Sequence, residues 1–164
     1  MEEASNEKKY LDSIFRGVSV DSAPIKDAFG KNFVAKKFSA PLEIFGDRLS
    51  KICRRLDCSE ENFFMGAYAL LLARFSGADE VFFAAAGKKK IPVFLNFSPD
   101  QTVADYLKNL REQLERSREI ICTPYEEISE AYDFPNAPEF FSTQPTSDKF
   151  FALAVDENFF RRRL

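Results

Sequence analysis

The sequence contains no histidine in its 164 residues. That absence excludes imidazole general acid/base catalysis, Ser-His and Cys-His nucleophile pairs, and most zinc sites. Tryptophan is also absent, and the aromatic content is carried by 19 Phe and 5 Tyr, which describes a core filled by flat apolar rings and assigns no chemistry. Cysteine is scarce: Cys53, Cys58 and Cys122 make an odd number without disulfide spacing, and a reduced, cytoplasmic compartment is expected. No apolar run is long enough to span a membrane. The opening MEEASNEKKY is acidic and polar, unlike a secretory leader. The net charge of −3 gives no global field for nucleic acid. Two short basic runs stand against it, Lys88-Lys89-Lys90 and Arg161-Arg162-Arg163. A solvated turn and a solvated strand end are the preferred readings, over a phosphate site.

What remains is the composition of one globular domain, residues 1–164, with 45% hydrophobic and 30% charged residues. The most apolar part runs from Ser59 to Lys90. Ser59 caps a helix, with Glu60 and Glu61 at its positive end and Asn62 where a full capping box would need Glu or Gln. From Phe63 to Phe75 the helix is apolar nearly all round, which predicts burial of most of its surface. Ser76-Gly77 stops it. Glu80 to Ala86 lacks polar alternation, as a central strand does. Ile91 to Ser98 alternates, and Pro92 predicts a late start or an edge position.

Around this unit, a helix is expected over 5–16, with Tyr10, Leu11, Ile14 and Phe15 inward and Ser5 or Asn6 as its cap. A loop is expected over 17–30, a strand over 33–39, and a helix over 42–57 with Leu49, Ile52 and Cys53 on its apolar side. Residues 101–120 predict an amphipathic helix with Val103, Tyr106, Leu107, Leu110 and Leu114 inward, and Thr123-Pro124-Tyr125 opens a short helix through Tyr132. Strands are expected near 139–143 and 149–155, the latter turning at Asp156-Glu157-Asn158 into Phe159–Leu164. This order gives a mixed α/β sandwich, a mixed sheet with helices packed on it.

The run AYALLLARFSGADEVFFAAAG, then SPDQTVADYLKNLREQLERS, TPYEEI, DFPNAPEF and KFFALAVDENFFRRRL resemble, in order, segments of the condensation domain of nonribosomal peptide synthetases. KKYLDSIFRG resembles the Tyr-Trp-x-x-x-Leu-x-Gly segment that opens the second half of such a domain. The resemblance implies one lobe, the second, of the chloramphenicol-acetyltransferase-like, CoA-dependent acyltransferase-like fold. It also implies a parent activity: attack of an acceptor amine on a donor thioester, both carried on phosphopantetheine arms of carrier proteins. The family's catalytic motif, His-His-x-x-x-Asp-Gly, belongs to the first lobe, which the resemblance places before this chain. No catalytic residue, cofactor or metal site is therefore assigned, and phosphopantetheine enters only as a carrier-protein arm. A second departure lies at IPVFLNFS, which aligns without a gap to the family's Leu-Pro-Leu-Arg-Val-Asp-Leu-Ser strand, so that Lys88–Lys90 bridges a deletion as a hairpin. The rival alignment sets Phe94-Leu95-Asn96 on a Phe-Val-Asn segment and would make Asn96 a tunnel residue; an outward polar position is preferred. The family's helix beyond the last hairpin has no counterpart.

Lys88, Lys89 and Lys90 are the candidate docking residues for a carrier protein, whose surface in this family is acidic. Glu126 and Glu127 could act as an acid/base pair, though helix N-terminus electrostatics accounts for their placement. The three thiols are expected to be unreactive. Partners implied are a carrier protein or a synthetase subunit, the latter including a separate chain that supplies the first lobe. A homodimer is also expected, because a lobe alone leaves apolar surface uncovered.

Overall fold

A computed structural model of the chain describes residues 2–15, 46–87, 89–134, 137–141 and 152–154. The expected loop over 17–30, the strand over 33–39, the turn at 156–158 with the strand after it, and the arginine run at 161–163 lie outside them.

The first helix, α1, is Glu2–Phe15. It starts earlier than expected, so Ser5 and Asn6 sit inside it rather than capping it. Its Tyr10, Leu11, Ile14 and Phe15 stripe is buried. Helix α2 is Gly46–Arg55, and residues 42–45 of the expected helix are outside the described set. Leu49 and Cys53 face inward, whereas Ile52 is largely exposed.

Helix α3, Glu60–Ser76, begins as its sequence dictates: Ser59 Oγ accepts the Asn62 N–H at 3.0 Å. It ends at Gly77, whose φ of 68° favours a residue without Cβ. Its surface divides differently from the expected near-complete burial. Phe64, Met65, Tyr68, Ala69 and Leu72 are in the core, while Leu70, Leu71 and Phe75 are exposed. They fall on one stripe at i, i+1 and i+5, a second apolar face that no described element covers.

Strand β1, Glu80–Ala86, pairs antiparallel with β2, Ile91–Asn96, in a register from Glu80↔Asn96 to Ala85↔Ile91. Lys89 and Lys90 thus precede β2 directly, in the short connection that follows the Ala85↔Ile91 pair. After α4, Val103–Ile120, and α5, Tyr125–Ala131, the chain returns as β3, Glu139–Phe141, parallel to β1. A further strand, β4, Ala152–Ala154, lies parallel to β3, which gives the order β2-β1-β3-β4. Among these strands β2 is at an edge, as its proline requires.

Side chains of β1 alternate between two cores. Val81, Phe83 and Ala85 join Leu49, Tyr68, Leu72, Leu110 and Phe140 beneath α2, α3 and α4. Phe82 and Ala84 join Phe15, Tyr125, Ile128 and Phe134 beneath α1 and α5. Two helix layers therefore enclose a mixed sheet, which is the α/β sandwich that the element order implies.

Helix α4 also closes the open side of β2. Its Gln113 Oε1 accepts the Phe94 N–H at 3.3 Å, satisfying a donor that a strand edge would leave to solvent. Its far end anchors α1, through Tyr10 Oη and Ser117 Oγ at 2.7 Å. The buried Glu7 completes the join by accepting the backbone N–H groups of Cys122 and Thr123 at 3.0 and 2.9 Å. Val103, expected inward, is exposed in the first turn of α4, and the apolar face begins at Tyr106.

The α3–α4 crossing depends on Gly66. A Cβ there would stand 2.5 Å from Leu107 Cδ2 and 3.1 Å from the Tyr106 ring, whose hydroxyl donates to the Gly66 carbonyl at 2.8 Å. Gly66→Ala gains about 1 kcal/mol of helix propensity but overpacks a site where both neighbours are buried, at a cost of about 1–3 kcal/mol. A net loss of about 1 kcal/mol is expected in urea denaturation. A stabilised variant would show that the two helices separate freely.

Candidate functional site

The chemically dense part of the molecule is the end of the sheet where β1 runs out and β2 begins. Glu139 opens β3 opposite Ala84, and its side chain is fully buried. Lys90, one residue before β2, reaches it: Nζ lies 3.2 Å from Glu139 Oε1. The same ammonium is 3.8 Å from Glu126 Oε1 and 4.9 Å from the centroid of the Tyr125 ring. Tyr125 starts α5 and is buried, and its hydroxyl has no hydrogen-bond partner among the described residues. Burial, reinforced by the Glu139 and Glu126 carboxylates, pushes its phenol well above the ordinary tyrosine range. Tyr68 is raised in the same way, by burial and then by Glu139. Both phenols are therefore held neutral, and neither is a base at ordinary pH.

The arrangement can neutralise a charge but offers a substrate little. Glu139 has no solvent-facing surface, so it cannot exchange a proton with a ligand without local opening. Its partner Lys90 is about a quarter exposed, enough for the ammonium to keep part of its hydration. The cluster holds the sheet end together: it ties the β1–β2 connection to β3 and to the start of α5.

This changes the standing of the lysine run. Lys88 lies outside the described residues, Lys89 is exposed, and Lys90 turns inward. Glu126 and Glu127 are both exposed at the start of α5, and Glu126 contributes its charge to Lys90 rather than pairing with Glu127. Asn96 is exposed on the edge strand and donates to Glu80 Oε1 at 3.3 Å, an outward polar position. Glu139 was missed by sequence reasoning. The only signal available was a charged residue leading the apolar Phe140-Phe141 pair, which local pattern assigns to a strand end.

Surface depressions also lie among the described residues, and two of them flank α3. One, of about 470 Å³, lies where α3 ends and α4 begins, and is lined by Leu70, Arg74, Gly77, Phe97, Val103 and Tyr106. The other, of about 760 Å³, is open and mixed in charge, and surrounds the α2–α3 turn with Arg54, Asp57, Cys58, Glu60 and Arg111. Among the described residues no three His, Cys, Asp or Glu side chains converge to hold a metal ion. No helix among them is long and apolar enough to cross a membrane.

No protein-family model matches the sequence, and no curated protein matches it. Solved structures do. The condensation domain of the Monacolin K polyketide synthase MokA superposes with a TM-score of 0.58 at 16% identity, over 92% of this chain and 40% of that one. The first condensation domain of the calcium-dependent antibiotic synthetase gives 0.57 at 14% identity, over 88% and 35%. The starter condensation domain of rhizomide synthetase RzmA gives 0.52 at 14%, over 94% and 36%. The fold is that of part of a condensation domain. Nearly all of this chain is used in each superposition, whereas it spans well under half the length of each condensation-domain structure. The condensation-domain fold agrees with the lineage drawn from the motif order, although identity this low speaks for architecture alone.

Proposed function

We propose that this chain is the second lobe of a condensation-domain-type protein, and that it does not catalyse condensation by itself. The supporting observation is the match of almost the whole chain to little more than a third of a condensation domain, in a sequence without the histidine that the family's catalytic motif requires. The parent reaction needs an oriented amine, proton handling and a stabilised oxyanion. The described residues supply a buried ion pair and neutral phenols in place of these. Its setting would be a cytoplasmic nonribosomal peptide assembly line, with phosphopantetheine present only on a carrier's arm.

The test is a condensation assay with donor and acceptor substrates loaded on holo-carrier proteins. The chain alone should give no product above the uncatalysed rate. Product formed by the purified chain would overturn the reading. Product formed only after adding a lobe that carries His-His-x-x-x-Asp-Gly would make this chain half of a split acyltransferase.

A non-catalytic carrier-docking role is the second reading, and the exposed Lys89 supports it. Because Lys90 is engaged inward, docking would rest on Lys88 and Lys89. A labelled holo-carrier titrated against Lys88→Glu/Lys89→Glu should lose its saturable signal; undiminished binding by that variant removes the lysines from the interface.

Self-association is expected as well, since Leu70, Leu71 and Phe75 present apolar surface. Sedimentation velocity should show a concentration-dependent dimer that Phe75→Glu abolishes. A monomer at all concentrations would show that this face is tolerated by solvent.

A further inference from the structure

Helix α2 does not end on a glycine. Asp57 takes the left-handed conformation, with φ 49°, which aspartate tolerates better than most residues. Two backbone bonds close the cap: Cys58 N–H to the Cys53 carbonyl at 3.0 Å, and Asp57 N–H to the Arg54 carbonyl at 3.4 Å. These are the six-to-one and five-to-two bonds of a Schellman motif. Arg111 holds Asp57 in place from α4, donating to its carbonyl and to its carboxylate, both at 2.6 Å.

In that motif the side chains at the two ends of the six-to-one bond meet, normally as an apolar contact. Here both are cysteines, Cys53 and Cys58, joined by the six-to-one backbone bond and lining one depression. A disulfide needs backbones close together, with Cα atoms roughly 4.4–6.8 Å apart, and sulfurs on the same side. The backbone bond meets the first need, and the motif, which turns these two side chains toward each other, meets the second. Cys53 is buried, Cys58 is half-buried, and both line the open depression beside the α2–α3 turn. A small reagent can therefore reach Cys58 first. Cys122 is exposed and lies at the far end of α4, away from the pair.

We infer that Cys53 and Cys58 form a reversible intramolecular disulfide across the C-cap of α2. With a low-molecular-weight disulfide such as oxidised glutathione, the steps balance without another reactant. The Cys58 thiolate attacks one sulfur of the reagent, forming a mixed disulfide and releasing one glutathione thiol. The Cys53 thiolate then attacks the Cys58 sulfur, closing the protein disulfide and releasing the second. Two protein thiols are oxidised and one reagent disulfide is reduced to two thiols. Burial raises both protein thiols, Cys53 to about 11, so the thiolate is scarce at neutral pH and closure is slow. The pair is thus a structural dithiol in a reducing compartment and a disulfide after sustained oxidation. This departs from the expectation of three inert thiols for these two residues.

The full chain is equilibrated against glutathione buffers of graded ratio, alkylated, digested with trypsin and mapped by mass spectrometry. Trypsin cuts after Lys51, Arg54, Arg55 and Arg74, so the disulfide joins the peptide of residues 52–54 to that of residues 56–74. The expected result is that linked pair, lost on reduction, with Cys122 carrying glutathione or alkyl label independently. In Cys58→Ser no linked pair forms, and in Cys122→Ser it forms as before. Full alkylation of Cys53 and Cys58 in the most oxidising buffer would overturn the inference, as would cross-links found only between molecules. Near-ultraviolet circular dichroism of each variant before oxidation confirms that it is folded, so a missing link cannot be mistaken for unfolding.

Discussion

Replacing Lys90 with Met lowers the free energy of unfolding by about 3 kcal/mol. Removing one partner of a buried ion pair costs about 3–5 kcal/mol, because the remaining charge stays in a low-dielectric site. The lower end applies here, since Lys90 keeps a quarter of its side chain in water while Glu139 keeps none. Loss of the ammonium above the Tyr125 ring accounts for about 0.5–1 kcal/mol of this. The companion variant separates this from a packing effect. Lys90→Met/Glu139→Leu removes both charges and should recover to within about 1 kcal/mol of the parent, because apolar replacement of a whole buried pair is often neutral or better. The measurement is a double-mutant cycle by urea denaturation. A Lys90→Met midpoint equal to the parent's would mean that Glu139 is stabilised by other neighbours and that the sheet end does not depend on this lysine. The result also governs the docking experiments, since a charge reversal at Lys90 would weaken binding by unfolding the connection rather than by altering a surface.

The local features of this fold were legible, and the reason is physical. The bounds of β1, the Ser59 cap, the Gly77 stop and the edge position of β2 each follow from residues within a turn or two of the feature. Phe82 and Phe83 both read as apolar, and burial on both faces of a central strand explains why. The misses are long-range. Glu139 meets Lys90 only because β3 returns parallel to β1 after two helices, and a parallel return leaves no local turn signature. Val103 and Leu70 share the apolar character of core residues, yet they stand at helix ends or on a stripe that the described elements leave uncovered. Ser5 is a good cap chemically, but Glu2–Phe15 continues past it because the helix is set by the docking of Tyr10 onto α4 and of Glu7 onto the Cys122-Thr123 turn beyond it. The cysteine pair was visible as a five-residue spacing; its contact required the left-handed Asp57.

These observations separate scaffold from chemistry. The residues that define the condensation-domain fold here are strand and helix core: Tyr68, Phe83, Leu110 and Phe140. Of those with titratable character, Lys90 and Glu139 are satisfied by each other, and Tyr68, Tyr106 and Tyr125 are held in their neutral form by burial. Packing of the sheet end accounts for both groups.

Phe83→Ala should cost about 4 kcal/mol. Its ring is fully buried at the centre of β1, opposite Val93, and meets Tyr68 edge-on at 5.4 Å and 89°. Phe→Ala in a core typically costs about 3–5 kcal/mol, from lost transfer energy and from the cavity left behind. The surroundings cannot collapse into the gap, because Tyr68 is pinned between Phe83 and Phe140. Against a typical total of about 5–15 kcal/mol, that loss leaves a marginal fold. Phe82→Ala provides the internal contrast. Its ring is equally buried but faces Phe15 at 5.5 Å and Phe134 at 4.7 Å, on the side where α1 docks. Hydrogen exchange should therefore divide the two variants. Phe83→Ala lowers protection in α3, α4 and β1 together, because these share one core. Phe82→Ala lowers protection in α1 and α5 more than in α3, because only the second core loses its central ring. If both variants lose protection equally everywhere, the two faces of the sheet unfold as one unit, and α1 is as much a part of the global fold as the helices opposite it.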